Sequence, residues 1–324
     1  INDFLPVSKE DMKKRGWEQC DFVYIIGDAY VDHPSFGHAI ISRILEAHGY
    51  KVGIISQPDW KNKDSITVLG EPRLGFLVSA GNMDSMVNHY TANKRLRSDD
   101  PYSPDGRRGL RPDRTTIVYS NILKSLYPNV PIVIGGIEAS LRRFAHYDYW
   151  DDAYHKSILV DSKADILIYG MGEKPISSII KIMNEGGTIE DLHNIPQIGY
   201  LSKTKPIDNN VIELPSFNQC LKDKKISAQT FKIIEEESNK LNQTIICQKN
   251  GDDYVVVNPS FPPMTTEEID AIYDLPFTRL PHPKYKGKKI PAFDMIRWSI
   301  NTHRGCWGGC AFCTISIHQG KFII

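Results

Sequence analysis

An α/β fold is predicted for this chain by three features. Short apolar runs recur through the first 190 residues, most of them closing on glycine. Helical periodicity with recognisable caps lies between these runs, and the stretch ahead of the last three cysteines again has strand character. Strands separated by helices imply βαβ units and parallel pairing. Residues 1–190 are therefore expected to form a Rossmann-like, doubly wound parallel sheet. Residues 191–288 are expected to form a mixed connecting subdomain, and 289–324 to open a further element on a strand at Ile296–Thr302.

Taken in order, FVYIIG (Phe22 to Gly27) reads as the first buried strand. In the helix that follows, Ser35 is the expected N-cap. Phe36, Ile40 and Ile44 share a face with Ile41 and Leu45, and Gly49 is the stop. KVGIIS (Lys51 to Ser56) and LGFLVSAG (Leu74 to Gly81) are the next strands. Thr115 opens a helix that Pro128 ends. PIVIGG (Pro131 to Gly136) and ADILIYG (Ala164 to Gly170) complete five strands, and Pro175 opens a helix closed by Gly186 and Gly187. Beyond residue 191 the chain is richer in Pro, Lys and Asn. SAQTFKIIEEESNKLN reads as one helix and DYVVVNP as a strand. Thr265 and Glu268 form a capping box. Lys94 to Arg114 is poor in apolar residues and is expected to be a long surface loop.

Composition narrows the function. Among 324 residues, 39 Lys and Arg balance 39 Asp and Glu, so a bulk-cationic nucleic-acid binder is disfavoured. Lys94, Arg95, Arg97, Arg107, Arg108, Arg111 and Arg114 make one basic loop, but Asp99, Asp100, Asp105 and Asp113 offset it. No signal peptide and no membrane span are read, which leads to the expectation of a cytoplasmic protein with reduced thiols. Cys20, Cys220 and Cys247 are scattered and read as buried side chains.

The remaining three, Cys306, Cys310 and Cys313, lie in CWGGCAFC with spacing C-x3-C-x2-C. Three thiolates suit zinc or an iron–sulfur cluster. Zinc would need a fourth ligand, for which His303 or His318 is at hand. A four-iron, four-sulfur cluster would keep one iron free of protein ligands.

Cys306, Cys310 and Cys313, with aromatic Phe312 before the last, resemble the hallmark of the radical S-adenosylmethionine superfamily. GEPRLGFLVSAGNMDSMVNHYT, PIVIGGIEASLRRFAHYDYWDD, DILIYGMGEKP and RWSINTHRGCWGGCAFC resemble the YgiQ-type family of uncharacterised radical S-adenosylmethionine proteins over the whole chain. The resemblance implies that 289–324 start a partial (β/α) barrel, with Ile296–Thr302 as its first strand. It implies a 4Fe-4S cluster on the three cysteines, S-adenosyl-L-methionine at the open iron, and Phe312 near the adenine. It also implies an electron donor such as flavodoxin or ferredoxin. Family members are roughly twice as long, so the chain as given is expected to lack most of the barrel, to hold its cysteine loop poorly and to be inactive by itself. The substrate is unknown.

Related enzymes often carry a cobalamin domain with D-x-H-x-x-G after the first strand. Here Asp32 and Gly37 keep the spacing, but Pro34 takes the ligand position and His33 sits one residue early. The sequence weighs against cobalamin, and a cobalamin-dependent radical methyltransferase remains the first alternative. A zinc-stabilised nucleic-acid-binding protein is the second. Ligands of parallel sheets collect beyond the strands' carboxyl ends, which would bring Asp28, Asp59, Asn82, Asp84, Glu138 and Glu173 toward one crevice. Arg142 and Arg143, among the aromatics of SLRRFAHYDYWDD, could bind a polar or aromatic substrate or pack at an interface.

Overall fold

The computed structural model describes residues 3–207, 210–310 and 313–324. The chain forms two compact units, one of residues 1–138 and 265–302, the other of 139–264 and 303–324. These boundaries differ from the divisions at 190 and 288 suggested by composition. Both units are discontinuous in sequence because strands and loops far apart in the chain complete each other's hydrogen bonding.

In the first unit, β1 (Phe22–Ile26), β2 (Val52–Ser56), β3 (Gly75–Ser79) and β4 (Ile132–Ile134) run parallel in the order β2-β1-β3-β4. Val23 lies opposite Gly53 on one side and Phe76 on the other. Every residue of β1 is buried, the near-continuous apolar run required of a strand covered on both faces. The Rossmann-like reading fits this unit.

The helix Gly37–Ala47 begins two residues after Ser35, and its N-cap is Phe36. Ser35 instead makes a local turn in which its N–H donates to His33 Nδ1 at 3.1 Å. Helix Thr115–Leu126 starts and stops where its sequence indicates.

The returning segment begins with helix Thr266–Tyr273. Its capping box forms as expected: Thr265 N–H donates to Glu268 Oε2 at 2.8 Å, and Glu268 N–H to Thr265 Oγ1 at 3.2 Å. Leu280–Pro281 then pairs antiparallel with Val31–Asp32.

The strand expected at Ile296–Thr302 is absent. Helix Pro291–Ile296 occupies its start, with proline in the first turn, and no strand pairing reaches Arg297–Thr302 among the described residues. Strand geometry is held by neighbours, and an apolar run without them has no partner for its N–H and C=O groups. Met295, Trp298 and Ile300 are left exposed.

In the second unit, β5 (Ile166–Ile168), β6 (Ile198–Ser202), β7 (Ile212–Leu214), β8 (Ile246–Asn250) and β9 (Asp253–Val257) are ordered β5-β6-β9-β8-β7. Only β7 and β8 are parallel; β5/β6, β6/β9 and β8/β9 are antiparallel. Antiparallel pairing thus enters with β6, beyond the 1–190 stretch for which parallel strands are expected. A two-residue loop with Gly251 at φ +77° turns β8 into β9.

Helix Glu173–Asn184 starts two residues before Pro175 and is closed by Gly186 and Gly187, whose N–H groups return to Met183 and Ile182. Helix Lys224–Ser238 starts earlier than its apolar pattern suggests because Asp223 caps it. No helix among the described residues is long and apolar enough to cross a membrane.

Candidate functional sites

The first unit places β1 between β2 and β3, so its chain order reverses beside β1. In parallel sheets this reversal opens a ligand crevice beyond the strand ends. Here the crevice is filled. A Cβ on Gly27 would sit 2.2 Å from the Ala80 carbonyl, and one on Gly81 would sit 2.1 Å from Asp28 Oδ1. Gly81 also has φ +114°, so both space and backbone require glycine.

The Asp28 carboxylate accepts from Asn82 N–H at 2.7 Å and from Arg111 Nη1 at 2.7 Å. Arg111 also donates to the Ala80 carbonyl at 2.8 Å and pairs with Asp100 at 2.9 Å. All three charged side chains are buried. Arg111 thus departs from the surface-loop expectation: it is an internal strut, not part of a basic face. Arg97 Nε donates to the carbonyls of Val87 and Tyr90, and Arg108 to that of Arg97.

Burial raises the Asp28 carboxyl from its ordinary 3.8 to about 6, and Arg111 offsets part of the effect. Between these values the folded chain keeps a proton that the unfolded chain has lost. This group's contribution to stability is therefore full below 3.8 and falls as pH rises through 6. Asp28→Asn should flatten that component, read as a smaller change in urea midpoint between pH 4 and 6 than in the parent chain.

The other strand-end residues divide. Asp84 caps helix Ser85–His89 through Met86 and Val87 N–H. Glu138 accepts from Ser85 N–H at 2.8 Å and Thr116 N–H at 2.9 Å, tying two helix starts together. Asp59 closes its own turn through Lys61 N–H. Glu173 belongs to the second unit.

The residues nearest to a cobalamin signature are also occupied structurally. Asp32 pairs with Arg43 and accepts from Thr278 N–H at 2.8 Å. His33 is buried, held by Ser35, and pushed down to about 4, first by burial. They do not fit a cobalamin held by a histidine ligand.

The cysteines lie in the second unit. Arg304 and Ile324 exchange backbone hydrogen bonds at 2.9 and 3.1 Å, and Cys306 N–H donates to Gly320 O at 3.1 Å. A Cβ on Gly305 would lie 2.0 Å from the Phe322 carbonyl. Arg304 forms a buried ion pair with Glu173. The loop is therefore clasped at its base, a difference from the expected loose segment, because the residues after Cys313 return to it.

Within the loop, Gly308 N–H donates to Cys306 Sγ at 3.4 Å, and Cys313 N–H to Cys310 O at 3.0 Å. Positions 306 and 313 are partly exposed, 310 is exposed, and all three thiols are free of disulfides. A Cβ on Gly308 would lie 3.3 Å from Cys306 Sγ and 3.7 Å from Cys310 Sγ, so its absence leaves space beside both sulfurs. Phe312 lies outside the described residues. His318 is half-buried, with Nδ1 3.0 Å from Ser140 Oγ. Cys20, Cys220 and Cys247 are buried as expected, and burial pushes Cys20 and Cys247 up to about 11.

A family model described as "Radical SAM N-terminal" matches residues 4–299. The chain belongs to the Radical SAM N-terminal family. Among similar curated proteins, a "UPF0313 protein" of Bacteroides thetaiotaomicron is 57% identical over 340 residues, covering 100% of this chain and 54% of that protein. Another of the same name, from Porphyromonas gingivalis, is 55% identical over 100% of this chain and 52% of its own length. The chain spans about half the length of these relatives. A solved structure of a radical S-adenosylmethionine methyltransferase, TsrM, from Kitasatospora setae aligns over 56% of this chain and 28% of its own, with 18% identity and TM-score 0.36.

Sequence reasoning singled out Cys306, Cys310 and Cys313 but missed the clasp. Arg304–Glu173 and Ser140–His318 join positions 131 and 178 residues apart. No local periodicity signals such pairs.

Proposed function

We propose that the protein is a radical S-adenosylmethionine enzyme whose Cys306, Cys310 and Cys313 hold a 4Fe-4S cluster. The observation that carries this reading is the CWGGCAFC loop itself: three unpaired thiols on one clasped loop, with glycine leaving space beside two of the sulfurs. Three cysteine ligands would leave one iron open to S-adenosyl-L-methionine. When bound, the cluster supplies the electron for reductive cleavage to a 5′-deoxyadenosyl radical, chemistry that belongs to the cofactors.

The chain's own residues would supply the three thiolate ligands. The Gly308 N–H, directed at Cys306 Sγ, stabilises charge on that sulfur. Arg304 and Glu173 hold the loop's entry. A one-electron donor such as flavodoxin or ferredoxin, and a reducing compartment such as the cytoplasm, belong to the same proposal. Phe312 is proposed to lie near the adenine.

The full-length protein, reconstituted with iron and sulfide and reduced with dithionite, should convert S-adenosyl-L-methionine to 5′-deoxyadenosine. Stoichiometric zinc without acid-labile sulfide in anaerobically purified protein would overturn the assignment.

A further inference from the structure

The second unit holds a half-open pocket with a volume of ≈ 130 Å³. Phe144, Tyr169, Met171, Leu241 and Phe261 supply much of its apolar lining, and Arg143 is its buried cation. Arg143 is 9% exposed. Its Nη1 donates to Ser140 O at 2.6 Å, and its guanidinium lies 5.1 Å from the Tyr169 ring and 5.6 Å from the Phe144 ring.

No carboxylate of the described residues pairs with Arg143. This separates it from Arg43, Arg111 and Arg304, which pair with Asp32 and Glu46, with Asp28 and Asp100, and with Glu173 respectively. The acidic lining residue Glu237 is taken by Lys240 at 2.5 Å and by Thr244 N–H at 2.5 Å. Nearby Glu235 is taken by Lys321. His318, in the same lining, is pushed down to about 4 by burial and by Arg143, and is neutral at pH 7.

A buried guanidinium with no carboxylate directly paired to it is costly to keep. Its planar fork matches a carboxylate bidentately. A dry cavity of about 150 Å³ accommodates one benzene ring, so the space here suits a single-ring body. We propose that this cavity binds a small organic carboxylate with a flat apolar body, its carboxylate on Arg143 and its body against Phe144, Tyr169 and Phe261. The site is independent of the radical assignment. It touches the cysteine segment through one wall: residues 316–322 and 324 line the cavity, and Gly320 O in that stretch accepts the Cys306 N–H. Ligand binding is therefore expected to order the loop's base.

The test is calorimetric titration of the 324-residue chain with three probes: sodium benzoate, its neutral isostere benzamide, and inorganic phosphate. Benzoate should bind saturably, at least ten times more tightly than benzamide, and should slow amide hydrogen exchange across 304–324. Phosphate should show no saturable binding. Arg143→Met should weaken benzoate at least tenfold. Leu241→Trp, at an exposed position of the lining, should also block benzoate with an unchanged melting temperature, which separates loss of the site from loss of the fold. Equal affinity for benzoate and benzamide would overturn the ion pair. Saturable phosphate binding in place of benzoate would overturn the carboxylate class, and no binding of benzoate to the parent chain would overturn the site.

Discussion

Replacing any one of Cys306, Cys310 or Cys313 with Ala in the full-length protein should strip it of iron and acid-labile sulfide and abolish 5′-deoxyadenosine formation. A cluster with three protein ligands has none to spare. Losing one thiolate exposes a second iron, and the cluster falls apart rather than shifting in potential. The effect should be all-or-none at each position, although Cys310 is exposed and Cys306 and Cys313 are partly covered. Cys220→Ala is the control. Its thiol is buried beside Thr230 Oγ1 at 3.3 Å, so the expected cost is one of packing, with iron content retained. Iron and sulfide assays with electron paramagnetic resonance of the reduced protein read the outcome. Retention of a full cluster in any one of the three variants would remove that cysteine from the ligand set.

The largest expected loss of stability comes from Arg111→Met. The methionine fills much of the arginine's space but leaves Asp28 and Asp100 buried and facing each other without a cation, and the Ala80 carbonyl without its donor. Breaking a buried ion pair from one side costs about 3–5 kcal/mol. Two carboxylates depend on this one guanidinium, which places the expected loss at the upper end of that range. Arg111→Lys should recover only part of it, because an ammonium cannot donate in a fork to Asp100 while also reaching Asp28 and Ala80. Urea midpoints at constant slope measure both. A loss within ~0.5 kcal/mol, the range of an ordinary surface substitution, would show that Arg111 does not carry the closure of the crevice.

The contrast between Arg111 and Arg143 shows what local sequence conceals. Both stand in polar, arginine-rich stretches, and composition marks Arg111 as a surface charge. Its burial depends on Asp28, 83 residues earlier, which no local pattern reveals. Arg143 was legible as a binding candidate from its aromatic neighbours. Its lack of a paired carboxylate, and the pocket beside it, emerge only once the 316–324 segment returns against Tyr169, Gly170 and Met171, just after β5. The cobalamin question divides in the same way. Pro34 in the ligand position is visible in the sequence, whereas the engagement of Asp32 by Arg43 and Thr278 requires the fold.

The sequence by itself determined the elements whose signals are local. β1 to β4 are apolar runs bounded by glycine or polar turns. Thr265 and Glu268 write a helix start, and C-x3-C-x2-C writes a three-thiol loop. Each depends on residues a few positions apart, so side-chain period, capping chemistry and spacing suffice. Tertiary structure alone decided strand direction beyond β5, the fate of Ile296–Thr302, the filling of the switch-point crevice and the clasp beneath the cysteines. Those outcomes rest on hydrogen bonds and ion pairs between segments often more than a hundred residues apart. A strand's direction, or its existence, is set by the neighbour that accepts its N–H groups, and a buried charge is tolerated only where folding delivers its partner.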